Sequence, residues 1–163
     1  AIELAVGCSV RAHGDFDVEI LARDQAALRD VLGGWDVVVA AKGDLCPWIG
    51  EVSPNNGSLW CRRSPDAPWA FQILLADSDG DDWLYRRDPR IRRPLVEVFK
   101  RAAIPYLAPE IQLLFKSKAT RPVDEIDFAA VLPCLDQRAR RWLADALGIV
   151  EPEHAWHSLL AQS

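Results

Sequence analysis

The spacing of apolar residues changes near residue 95, and that change constrains the fold of this chain more than any other feature of it. Before it, short apolar runs are bounded by turn signals, the pattern of strands. "WDVVVAA" (35–41), "SLWCR" (58–62) and "WAFQILLA" (69–76) are such runs. "DWLYRR" is predicted to pair with the last of them across the "DSDGD" turn, and "WIGEV" (48–52) to pair with "SLWCR" around Pro54 to Gly57. "RDQAALRDVLGG" (23–34) reads as a helix with Asp24 at its N-cap and Gly33 and Gly34 as terminators, and residues 1–7 as the end of another, capped by Gly7. After residue 95 the period is helical. Segments 94–102, 108–120, 122–135, 136–150 and 151–162 are predicted helices, with Pro109, Pro122 and Pro152 in first turns and Asp136 as an N-cap. The expectation is an α+β fold: a small mixed sheet over residues 1–95 and a helical C-terminal region over 96–163.

The first predicted strand is unusual in its polar face. In "HGDFDVEI" (13–20) Phe16, Val18 and Ile20 alternate with Asp15, Asp17 and Glu19. Three acids in succession on one face repel one another, so the face is either a solvated edge or a site for a cation. Asp15 and Asp17 have Cα atoms roughly 6–7 Å apart on a strand. Carboxylates so spaced can lean onto a hard cation such as Mg²⁺, and such ions stabilise both oxygens of a phosphoryl transfer. His13-Gly14 supplies a tight backbone at which a ligand can approach.

Composition narrows the classes. Half of the 163 residues are apolar, enough for a real core, and the net charge of −5 argues against a general nucleic-acid binder. A small anionic nucleotide remains compatible with it. No run reaches the length of a membrane span. The four cysteines form no Cys-x-x-Cys pair, so a zinc ribbon is not expected and reduced thiols in a cytoplasmic protein are. The chain contains no Met, so either its start was processed or an N-terminal part is missing.

Residues Arg11, His13, Asp15, Phe16 and Asp17 match an Arg-x-His-x-Asp-apolar-Asp segment. Ala1-Ile2-Glu3-Leu4 looks like the helix that follows a Gly-Gly-Trp entry, and "IPYLAPEIQLLFKSK", "RPVDEIDF" and "VLPCLDQRARRWLADAL" look like the accompanying helical part. With these blocks the chain resembles the aminoglycoside-2″-adenylyltransferase-like families, within the nucleotidyltransferase group related to DNA polymerase β. The resemblance implies a nucleotidyltransferase core and an enzyme that moves a nucleoside monophosphate, typically AMP from ATP, onto a hydroxyl of a small acceptor, often an antibiotic. It implies that Asp15 and Asp17 hold Mg²⁺ and that a third carboxylate on a later strand takes the acceptor proton.

Three positions depart from the family pattern. The chain begins just after the Gly-Gly segment that helps to hold the triphosphate. Gln72 stands where a third acid is expected, with Asp77 as the preferred substitute and Glu19 as the other. Val123 replaces the lysine of an Arg-Pro-Lys-Asp motif, leaving Lys116, Lys118 and Arg121, together with His13, as the candidates for nucleotide contact. These departures also fit a second reading, a catalytically silent member that binds a nucleotide or a protein partner.

Further features carry weaker expectations. "YRRDPRIRRP" packs five arginines that either receive a polyphosphate or an acidic partner or pair with the nearby aspartates. The "DSDGDD" stretch lacks glycine at the sixth position of a calcium loop and reads as a hairpin turn. Trp48 and Trp60 are candidates to line an acceptor pocket, and His154 and His157 share a helical face.

Overall fold

The longest strand in the computed structural model, Phe71–Asp79, is the one around which the other strands gather. The structure describes residues 1–14 and 16–161. In chain order the elements are α1 (Ile2–Val6), β1 (Asp17–Leu21), α2 (Leu28–Val31), β2 (Asp36–Ala41), β3 (Asp44–Pro47), β4 (Ser58–Arg62), β5 (Phe71–Asp79), β6 (Asp82–Leu84) and β7 (Arg92–Pro94). There follow α3 (Leu95–Val98), β8 (Phe99–Lys100), β9 (Tyr106–Leu107), α4 (Pro109–Ser117), α5 (Pro122–Val131), α6 (Gln137–Val150) and α7 (Trp156–Leu160). The fold is mixed α+β. It divides into two units, His13–Arg92 and a second made of Ala1–Ala12 with the chain from Arg93 onward. The expected boundary at 95 thus falls three residues earlier, and residues 1–12 belong with the helices rather than with the sheet.

In the sheet unit the strand order runs β3-β2-β4-β5-β6, and β1 pairs with β5 in parallel. The pairings β2–β3, β2–β4, β4–β5 and β5–β6 are antiparallel. Alternation gives the sheet two unlike faces. Ile73 and Leu75 of β5 join Leu59 and Cys61 of β4, with Leu32 and Val52, in a buried apolar cluster. Ile20, Val37, Val39, Trp35 and Phe71 pack against it. Each such Leu or Ile contributes about 1.5–3 kcal/mol on leaving water.

Two segments of this unit differ from the expected elements. The predicted strand at 48–52 is absent, and β3 takes its place four residues earlier. Lys42 and Gly43 both have positive φ, 53° and 92°, the two-residue turn that matches strand twist, and it joins Ala41 to Asp44. Val52 cannot join a ladder because its N–H donates to Gln25 Oε1 at 2.7 Å and its carbonyl accepts from Gln25 Nε2 at 3.2 Å. The region 23–34 is also split. Residues Ala22–Ala27 form a 3₁₀ turn before the short α2, and Asp24 caps nothing as N-cap.

In the helical unit Leu113, Leu114, Leu143, Leu147 and Trp156 are fully buried, and Trp156 stacks on Phe128 with ring centroids 4.2 Å apart. Asp136 caps α6 as expected, accepting from the Ala139 N–H at 2.8 Å, a contact worth about 1 kcal/mol. The predicted helix 94–102 is instead the single turn α3 followed by β8, which pairs with β9 through Phe99↔Leu107 and Lys100↔Tyr106. One helical turn is costly to nucleate, and aromatic Phe99 fits a strand better. The expected helix at 151–162 is limited to α7, and Gln162 lies outside the described residues. Among the described residues no helix is long and apolar enough to cross a membrane.

Charged groups tie this unit together. Asp127 accepts from Arg11 Nε at 3.0 Å and Nη2 at 3.2 Å, and lies 2.9 Å from Lys116 Nζ. Lys116 Nζ also meets Asp124 at 2.7 Å, and Arg121 meets Asp124 from the outer side at 2.9 Å. Arg121 and Lys116 hold the Asp124 carboxyl far below the ordinary carboxylate range. Burial pulls Asp127 upward, but Arg11 and Lys116 together outweigh it and its pKa is lowered. Both shifts are downward, so the stability they confer is present above the ordinary aspartate pKa and is lost as pH falls below about 4. Asp127→Ala, which leaves Arg11 and part of the Lys116 charge uncompensated, is expected to cost about 3–5 kcal/mol in urea unfolding at pH 7. The difference from wild type shrinks at pH 2–3.

Candidate functional site

The β1–β5 register decides which polar residues meet. Asp17 is opposite Gln72, and Glu19 is opposite Leu74. On the other side of β5, Trp60 is opposite Gln72. Alternation therefore places Asp17, Glu19, Gln72, Leu74, Ser58 and Trp60 on the face away from the apolar cluster. Gln72 Nε2 donates to Ser58 Oγ at 2.7 Å across β4 and β5.

This face carries an open cleft of about 350 Å³, near the lower end of the range for small-molecule sites. Its floor includes Ser58, Gln72 and Leu74, and Asn55, Arg86 and Arg87 stand at its walls. Arg86 and Arg87 occupy the two central positions of a turn closed by Asp88 N–H donating to the Tyr85 carbonyl at 3.0 Å. Both line the cleft, and Arg87 Nη1 donates to the Tyr85 hydroxyl at 3.2 Å. Gly57 lies in the lining where β4 begins. A Cβ there would stand 2.8 Å from the Ala40 carbonyl oxygen, so only glycine lets β4 close on β2.

Glu19, on this face, has a strongly shifted pKa. Burial raises its pKa to about 7, although the Trp83 indole and the Arg86 charge both act to lower it. Its Oε1 is sealed from solvent without a hydrogen-bond partner.

The residues singled out in the sequence fall as follows. Asp17 is exposed on β1, and His13 is exposed just before it. Asp15 lies outside the described residues. Asp77 shares the face of Ile73 and Leu75, opposite Gln72, and its Oδ1 accepts from the Ser78 N–H at 2.9 Å. Lys116, Lys118 and Arg121 belong to the helical unit, where Lys116 and Arg121 serve the aspartate network and Lys118 is exposed at the end of α4. Trp48 packs against the apolar cluster beneath the Arg29 guanidinium, and Trp60 stands edge-on to Trp69 at 5.5 Å, so neither lines the cleft. His154 Nε2 is 3.0 Å from Thr120 Oγ1, and its Nδ1 accepts from the Trp156 N–H.

The arginine-rich run resolves into pairs and cleft. Arg90 pairs with Asp88 at 2.6 Å, Arg92 with Asp79 at 2.7 Å, and Arg93 with buried Glu110 at 2.6 Å. Arg86 and Arg87 are the members that reach the cleft. The signal for them was the run itself, but sequence spacing does not say which arginines pair.

No group of three or more potential metal ligands stands together among the described residues. Asp17 is a hard oxygen donor of the kind Mg²⁺ takes, and Asp15 is its neighbour in sequence. Compared with known proteins, the chain matches no family, no characterised protein and no solved structure.

Two substitutions test this geometry. Between about pH 4.3 and 7 the folded protein holds a proton on Glu19 that the unfolded chain releases, so stability declines as pH rises through that window. Glu19→Gln is expected to flatten that slope and to stabilise the protein at pH 8 by on the order of 3 kcal/mol in urea titrations. Gly57→Ala is expected to lower stability by about 1–3 kcal/mol, because the Ala40 backbone must move.

Proposed function

We propose that this chain is a Mg²⁺-dependent nucleotidyltransferase that moves a nucleoside monophosphate, AMP from ATP, onto a hydroxyl of a small acceptor. One observation carries the reading: Asp17 and Glu19 share a face of the sheet with a polar, arginine-walled cleft. A nucleotidyl transfer needs both kinds of group, carboxylates for a hard cation and cationic side chains for phosphate oxygens. The resemblance of Arg11, His13, Asp15 and Asp17 to the adenylyltransferase-like segment supports it further.

In this reading Asp17 and Asp15 hold Mg²⁺, which when bound offsets charge on the phosphate oxygens. Glu19 takes the place of Asp77 as the third carboxylate, because it shares the face of Asp17 and Asp77 does not. Gln72, in register with Asp17, orients a ligand hydroxyl through its amide. His13 contributes from the segment before β1. Four free cysteines suit a reducing, cytoplasmic setting.

A second reading is favoured by Gln72 itself, which cannot accept a proton where the family pattern has an acid. In that reading the domain binds a nucleotide without turnover.

Pyrophosphate release decides between them. With Mg²⁺, ATP and a panel of hydroxylated acceptors, the wild-type chain is expected to release pyrophosphate. Asp17→Asn should abolish release, Glu19→Gln should slow it at least a hundredfold, and Asp77→Asn should leave it within twofold. Binding of ATP with no pyrophosphate from any acceptor selects the silent reading.

A further inference from the structure

We infer that the cleft is an anion site, in which Arg86 and Arg87 hold the phosphate group of an otherwise neutral, hydroxylated ligand, and from which polycationic aminoglycosides are excluded. As a statement about the acceptor it rests on the transfer reading above; as a statement about binding it does not.

The cleft's charge is one-sided. Two guanidiniums line it, and among the described residues no carboxylate does. Guanidinium groups keep their charge at any pH of interest and present forked donors that suit phosphate oxygens. The turn Tyr85–Asp88 places the two at successive positions in the lining of one cleft, within reach of a single multidentate anion. The Arg86 charge also acts on the buried Glu19 carboxyl, which is not part of the lining, and two other nearby acids have partners of their own. Asp88 is held by Arg90 through three side-chain contacts between 2.6 and 3.1 Å, and Asp79 is held by Arg92.

The remaining polar lining is neutral. Asn55, Ser58 and Gln72 supply amides and a hydroxyl, groups that recognise sugar-type hydroxyls. Ser58 Oγ and the Gln72 amide already bond each other at 2.7 Å, which leaves the Ser58 O–H and the Gln72 carbonyl for a ligand. Leu74 gives the floor an apolar patch for a ring face. A polyamine-bearing ring system would place ammonium groups against two guanidiniums, with no acid among the described lining residues to offset the repulsion. The phosphate has two possible sources, the polyphosphate of a nucleotide or a phosphorylated acceptor, and both use the same recognition chemistry.

Calorimetric titration of the whole chain with glucose 6-phosphate, glucose, kanamycin and tripolyphosphate tests the inference. Glucose 6-phosphate is expected to bind at least tenfold more tightly than glucose. The Arg86→Gln, Arg87→Gln double variant should lose that preference, the Arg86→Lys, Arg87→Lys variant should keep part of it, and Lys100→Gln, at an exposed lysine of β8, should behave as wild type. Melting curves establish that each variant is folded. Displacement of glucose 6-phosphate by tripolyphosphate assigns the seat to nucleotide phosphates, and simultaneous binding of both assigns it to the acceptor; either outcome upholds the anion site. Equal binding of glucose and glucose 6-phosphate, a preference that survives in the folded Gln double variant, or a higher wild-type affinity for kanamycin than for glucose 6-phosphate overturns it. An intact phosphate preference with no pyrophosphate release in the preceding assay would remove the transfer reading and leave the anion site standing.

Discussion

The parallel pairing of β1 with β5 is the contact on which the candidate site depends. Register in a sheet has a period of two, so a slip of one residue moves every side chain to the other face. With Asp17 opposite Gln72, Asp17 and Glu19 share the sheet face of Gln72 and Leu74, while Val18 and Ile20 lie on the side of the apolar cluster. The register is held because Ile73 and Leu75, both 2% exposed, have no alternative but the core. Hydrophobic burial on one face thereby positions polar chemistry on the other.

The polar face combines groups that water would otherwise keep apart. Glu19 is desolvated near Trp83, and Gln72 and Ser58 bond one another within the cleft. Burying such groups costs free energy unless they are paired. The apolar side, with Leu59, Cys61 and their neighbours, supplies the stability that offsets this cost. Gly57 adds a steric condition, since β4 can approach β2 only without a Cβ at that point.

The helical unit uses charge differently. Lys116, near the end of α4, is directed inward to Asp124 and Asp127, and Arg121, at the start of α5, reaches Asp124 from the exposed side. Arg11 joins them from the N-terminal segment, and Glu3 Oε1 accepts from the Val10 and Arg11 backbone N–H groups, which folds that segment back on itself. A residue of the motif used to argue nucleotidyl transfer thus has a structural partner in Asp127. Its guanidinium makes two hydrogen bonds to one carboxylate, the arrangement in which an arginine contributes most to order.

The sequence by itself determined the element types wherever periodicity was strong. The runs at 36–41, 58–62 and 71–76 are strands, and α4, α5 and α6 begin at or beside the prolines and the Asp136 cap that announced them. It also determined the acid alternation of β1, because side-chain direction in a strand is a local property. Tertiary structure decided what local pattern leaves open. The strand at 44–47 rests on positive φ at Lys42, which no propensity signals, and residue 52 is drawn out of the sheet by the Gln25 side chain 27 positions away. The site divides along the same line. Asp17 and Glu19 were legible as neighbours on one face, but that Asp77 lies on the opposite face from Asp17 required the register with β5. Which arginines pair and which line the cleft required the turn at Tyr85–Asp88, because ion pairing depends on distance in space and sequence spacing constrains that distance only over a few residues.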